Sequence, residues 1–216
     1  MQSLPPPRYG EAAFGYAVMI PGPADGGWRA WLEDRALHRA PVDAHFRQAV
    51  EWCIGRGTIE KPATVLELGP GPETDLQMVL VSSRIAYTSA DLVVPVGRRD
   101  IVDLSPTWNE GQRSLPWRSG TFECVLAREV MEHVDDIYRM VEEIHRVLRP
   151  GGRLWFSTPF IFPLHDYESG DYWRLSDKAW DFLLTRFGFG AREIHHERLL
   201  FRSWQYPVSV LGWADR

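Results

Sequence analysis

The chain has 216 residues, 44% of them hydrophobic and 25% charged, with a formal net charge of −5. That is ordinary globular composition for one large domain, and its acidic balance disfavours a nucleic-acid partner, since phosphate binding leaves a basic footprint. No apolar run approaches the ~18 residues that span a bilayer, and the opening residues lack a secretory pattern, so no membrane partner and a cytoplasmic location are expected.

Residues 1–27, rich in Pro and Gly, are expected to form an irregular arm, and 28–216 a single domain. Helical spacing over residues 28–56 (Trp31, Leu32, Ala36, Phe46, Ala49, Val50, Trp52), interrupted at Pro41, predicts two helices. From residue 63 strands and helices alternate. ATVLEL is a strand, followed by a Gly/Pro loop and a helix around Thr74–Ser83. RIAYTSADL and DIVDL are strands ending in carboxylates. FECVLA is the next, followed by a helix over Glu129–Leu148, which Arg149-Pro150-Gly151-Gly152 ends. RLWFSTP is a strand, Lys178–Phe187 a helix, and GAREIHHERLLF with YPVSVLGW a closing antiparallel pair. Repeated β-then-α units imply an α/β fold with a doubly wound, mainly parallel sheet. Cys53 and Cys124 lie in apolar segments and read as buried thiols of a reducing compartment.

The loop Glu67-Leu68-Gly69-Pro70-Gly71-Pro72 leaves the first strand. Glycines at such a junction let a ligand approach the backbone closely. Asp91 ends the second strand, where a carboxylate can accept both hydroxyls of a ribose. Asp103 ends the third, where it can meet an amino group of a base. In this ordered set of residues the chain resembles class I S-adenosylmethionine (SAM)-dependent methyltransferases. VLELGPGP resembles their first motif and YTSADL their ribose-binding motif. LPWRSGTFECVLAREVMEHVDD and RVLRPGGRLWFSTP resemble later ones. The resemblance implies a Rossmann-like sheet of seven strands whose last is antiparallel. It also implies SAM held by Glu67, Gly69, Gly71, Asp91 and Asp103. The prolines at 70 and 72 depart from the pattern because they donate no backbone hydrogen.

Glu129, Glu132 and His133 stand at i, i+3 and i+4, so on one helix they would share an arc of about 100°. This ExxEH run resembles the metal motif of RNA 3′-end 2′-O-methyltransferases and ubiquinone-pathway O-methyltransferases. His165 occupies the position of a further histidine in the RNA enzymes. The four residues are therefore expected to hold Mg²⁺ or Mn²⁺, which would acidify an acceptor hydroxyl. The alternatives are His133 as a metal-free base, or a helix start with no chemical role. Catalytic roles are assigned to His133, Glu132 and Asp166.

The segment FIFPLHDYESGDYWRLSDKAW carries Asp166, Tyr167, Tyr172, Trp173 and Arg174 as candidate acceptor contacts. Carboxylates, a guanidinium and aromatic rings suit a polyhydroxylated ligand, although Tyr172 and Trp173 could equally anchor the loop. HDYESGDYWRLS resembles a run in methyltransferases of glycan-building systems, including small O-methyltransferases of mycobacterial methylmannose polysaccharide synthesis. The expected reaction is methylation of a sugar or oligosaccharide hydroxyl. Its rivals are methylation of a catechol, methylation of an RNA 2′-hydroxyl, and a SAM-binding partner subunit without catalysis. The oligomeric state is left open, a homodimer included.

Overall fold

A computed structural model describes residues 35–58, 61–71, 75–82, 85–109, 112–162, 170–201 and 204–216. The strands are β1 (Thr64–Leu68), β2 (Ala86–Asp91), β3 (Ile101–Asp103), β4 (Phe122–Arg128), β5 (Leu148–Pro159), β6 (Arg192–Phe201) and β7 (Trp204–Asp215). They form one seven-stranded sheet in the order β3-β2-β1-β4-β5-β7-β6. The pairs among β1 to β5 are parallel. β7 runs antiparallel to both β5 and β6. The expected fold class is thus the observed one, and β6 is an edge strand.

The central strands are apolar on both faces because helices cover both. Adjacent residues go to opposite cores, as the period of two requires. Leu66, Val125, Ala127, Leu154 and Phe156 face α3 (Ser105–Trp108), α4 (Ile137–Val147) and α5 (Asp177–Arg186). Val65, Cys124, Leu126 and Trp155 face α1 (Arg35–Arg56) and α2 (Asp75–Ser82). Both cysteines are buried and free. No helix among the described residues is long and apolar enough to cross a membrane.

Three expectations are corrected. First, α1 is one helix with Pro41 inside it, not two. A proline inside a helix costs about 3 kcal/mol; burial of Val42, Phe46, Ala49, Val50 and Cys53 against the sheet offsets it. The helix runs antiparallel to the strands. Asp43 pairs with Arg128 at the carboxyl end of β4 (3.7 Å), and Arg56 donates to Gly151 O near the start of β5. Second, the helix expected over Glu129–Leu148 begins only at Ile137, and residues Met131–His133 form a short 3₁₀ turn. Third, the Arg149–Gly152 stretch is not a turn outside the sheet but the irregular start of β5. Leu148 pairs with Phe122, the register then shifts, and Arg153 pairs with Cys124.

Candidate functional site

The chain order of the strands reverses between β1 and β4, and ligands of such sheets bind beyond the carboxyl ends of the strands at that point. β1 delivers Glu67 there. Its carboxyl is buried and accepts a hydrogen bond of 2.5 Å from Tyr87 Oη on β2. Burial, with the charge of Glu67 beside it, pushes the Tyr87 phenol far up, so this hydroxyl stays a donor. Gly69 follows at φ +60, its N–H bonded to Ala90 O at 2.8 Å. A Cβ at Gly69 would stand 2.3 Å from Val130 Cγ2, so only glycine lets the loop lie against the Glu129–His133 turn. Gly71, at φ +58, donates to Asp91 Oδ2 at 3.4 Å.

Asp91 and Asp103 are paired in register at the ends of β2 and β3. Burial raises the Asp91 carboxyl above its ordinary range, while the N–H groups of Val93 and Gly71 draw it down. Asp103 is held low, chiefly by its hydrogen bonds to Ser105; Ser105 N donates to its Oδ1 at 2.9 Å. Two carboxylates and a glycine loop therefore share one edge, as the sequence reading required.

The Glu129–His133 turn is reached from β4. Glu129 has φ +49, a sparsely populated region for a residue with a side chain. Its N–H is shared between Ser157 O and Ser157 Oγ, each at 3.1 Å, which fixes that conformation. The Glu132 carbonyl accepts from Tyr172 N at 2.7 Å and Trp173 N at 3.3 Å. The Val134 carbonyl accepts from Trp173 Nε1 at 2.7 Å. These carbonyls are drawn off by a distant segment, so the α-helix cannot form and the expected 100° arc is replaced by a tighter turn. Asp136 then caps α4, accepting from Arg139 N at 3.0 Å.

Glu132 is 0% exposed. Neither of its carboxyl oxygens has a hydrogen-bond partner among the described residues. Burial first, then the charge of Glu129, holds this carboxyl well above the usual carboxylate range, against the opposing pull of Arg174. His133 Nε2 lies 3.8 Å from Glu132 Oε1. His133 Nδ1 is 2.5 Å from Gly170 O. A carbonyl only accepts, so Nδ1 carries the hydrogen and the neutral ring presents its lone pair at Nε2.

The candidate metal ligand His165 and the candidate acceptor residues Asp166 and Tyr167 lie outside the described residues. Trp173 packs against the core with its N–H on Val134 O, and so anchors the segment. Arg174 pairs with both oxygens of Asp171. Tyr172 is 55% exposed, its ring lying over Gly170. Among the described residues no three His, Cys, Asp or Glu side chains are grouped as a metal ion needs. Of the four expected ligands, Glu129, Glu132 and His133 are described and are not so grouped, and His165 lies outside the described residues. Sequence reasoning missed Tyr87, Ser157 and Gly170, which hold Glu67, Glu129 and His133. Only Gly170, a glycine beside the aromatic pair, left any trace in the sequence.

Helices on both faces of this sheet, with a glycine loop and two carboxylates at its switch point, define the architecture of Rossmann-like methyltransferases. The chain matches the methyltransferase-domain family over residues 35–213 and belongs to it. A SAM-dependent methyltransferase of Archaeoglobus fulgidus has the same fold, with a TM-score of 0.60 at 14% identity over 82% of this chain and 94% of its own. So has the 1,6-didemethyltoxoflavin-N1-methyltransferase of Burkholderia thailandensis, solved with S-adenosylhomocysteine (SAH), with a TM-score of 0.54 at 19% identity over 100% of this chain and 92% of its own. In sequence the chain is 28% identical to an uncharacterized methyltransferase of Mycobacteroides abscessus, over 76% of this chain and 65% of the relative. It is 29% identical to the ubiquinone/menaquinone biosynthesis C-methyltransferase of Enterobacter sp., over 52% of this chain and 49% of the relative. The chain thus spans less than two thirds of the length of these curated relatives.

Proposed function

We propose that the chain is a SAM-dependent O-methyltransferase acting on a hydroxyl of a sugar or oligosaccharide. Family membership and the edge of Glu67, Gly69, Gly71, Asp91 and Asp103 support SAM as the cofactor, as do the cofactors named for the Archaeoglobus and Burkholderia proteins. Asp91 would take the ribose hydroxyls and Asp103 the adenine amino group. The observation that carries the reaction is the orientation of His133, with Nδ1 on Gly170 O and Nε2 turned to the buried end of the turn.

Methyl transfer from a sulfonium is an in-line displacement. The acceptor oxygen attacks the methyl carbon, the carbon–sulfur bond breaks, and the sulfur leaves as the neutral thioether of SAH. Alignment supplies much of the rate. The acceptor O–H proton passes to Nε2 of His133 and from there to solvent. The Gly170 carbonyl stabilises the imidazolium that results. The exposed Tyr172 ring can cover the apolar face of a sugar, with the Asp171–Arg174 pair beside it for hydroxyls.

A second reading places a divalent cation at Glu129, Glu132, His133 and His165. The two oxygens of Glu132, unpartnered among the described residues, favour it. Such an ion would acidify the hydroxyl in place of the base. The three described residues of this set are not grouped as a metal ion needs, so no step is derived through it.

His133→Asn tests the proposal. Asn keeps a donor for Gly170 O and offers no base. Turnover should fall on the order of 10²-fold or more, the usual worth of a general base, while SAH affinity by calorimetry stays unchanged. Equal turnover of variant and wild type removes His133 from the chemistry.

A further inference from the structure

The run Val96-Gly97-Arg98-Arg99-Asp100 between β2 and β3 has no role in the reading above. In the structure Arg98 joins three parts of the molecule beside the glycine loop. Its Nε and Nη2 donate to the two oxygens of Asp100, each at 2.9 Å. Nη2 also donates to Gln77 Oε1 on α2 at 3.0 Å. Gln77 Nε2 closes the ring, donating to Asp100 Oδ2 at 2.9 Å. The planar guanidinium is thereby locked in one orientation, as a bidentate carboxylate imposes. That orientation points Nη1 at the Gly71 carbonyl, 3.3 Å away.

Gly71 is consequently held on both sides. Its N–H goes to Asp91 Oδ2 and its carbonyl to Arg98. The carboxylate assigned to the ribose and the loop assigned to the rest of the cofactor are set by one connected network. Moving Gly71 moves both.

We infer that Arg98 is a positioning residue for cofactor binding: held flat by Asp100 and Gln77, it fixes the Gly71 peptide so that the loop and Asp91 stand ready for SAM. It acts through Gly71 and Asp91 and makes no contact with the reacting atoms. The inference rests on reading Gly69–Gly71 and Asp91 as the SAM site.

Calorimetric titration of the full chain with SAH tests it, at a temperature below every variant's unfolding midpoint. Arg98→Met keeps the stem and removes the guanidinium. Asp100→Asn keeps the guanidinium and removes its bidentate anchor. Each should weaken SAH binding roughly tenfold, about the worth of one hydrogen bond to a charged group. Arg192→Met is the control. Arg192 donates to Asp181 and Thr185 at 2.8 and 2.7 Å, tying β6 to α5 at the other end of the sheet. It should lower the unfolding midpoint and leave SAH affinity unchanged. If Arg98→Met does not fold, Asp100→Asn carries the test. Wild-type affinity in the Arg98 and Asp100 variants overturns the role of Arg98, and so does an equal loss in Arg192→Met. A wild-type chain that binds no SAH overturns the cofactor reading itself.

Discussion

His133 and His45 each rest on a backbone carbonyl, one at the candidate site and one in the core. His133 meets Gly170 O through Nδ1 at the rim of the site. His45 meets Gly212 O at 3.1 Å through Nε2, under α1 and in contact with the Phe46 and Trp155 rings. Burial lowers His45 from its ordinary 6.5 to about 4. The folded state therefore binds fewer protons than the unfolded one between these values. Stability from this residue is complete above pH 6.5 and is lost as the pH falls toward about 4. The loss amounts to about 3 kcal/mol, at about 1.4 kcal/mol per pH unit. Urea unfolding across that range should show a steeper acid decline for wild type than for His45→Gln, which keeps a donor for Gly212 O and does not titrate. Parallel profiles would mean that His45 is not the acid-sensitive group. Residues of this scale divide by legibility. Glu67, Asp91 and Asp103 were readable because strand ends put carboxylates at one edge by chain order alone. Tyr87 and Arg98 were not, because each acts across strands on a residue chosen by register or by a loop.

At the scale of elements the Glu129–His133 turn is the informative failure. Its spacing reads as a helix, and the apolar residues Val134, Ile137, Val141 and Ile144 are buried as that reading requires. What stops the helix arrives from residues 170–173, which take the Glu132 and Val134 carbonyls. No local pattern encodes that competition. Trp173→Phe tests the clamp. It preserves most of the buried ring and removes the hydrogen bond to Val134 O. The variant should lose about 1 kcal/mol of stability and gain proteolytic sensitivity in the 160–175 segment. Unchanged cleavage there would mean that the indole N–H does not hold the segment. Pro41 gives the converse lesson. A local breaker predicts a helix end at Pro41, and the buried face of α1 outweighs it.

For the whole molecule, the alternation of strands and helices was enough to reach the parallel doubly wound sheet. The antiparallel closing pair was equally visible, since GAREIHHERLLF and YPVSVLGW are joined too closely for a crossover helix. The acceptor was not legible to the same degree. The relatives named above carry methyl groups to carbon in one case and to a ring nitrogen in another, so the fold leaves the nucleophile open. The central claim is transfer to oxygen with His133 as the base. Its most direct test is incubation with SAM bearing a ¹³C-methyl group and a panel of sugars, oligosaccharides and catechols, in Mg²⁺ or Mn²⁺ and in EDTA. The account predicts a sugar product whose methyl carbon shows an O-methyl chemical shift, formed in EDTA as well as in metal. A C- or N-methyl product, or activity that EDTA abolishes and metal restores, would contradict it.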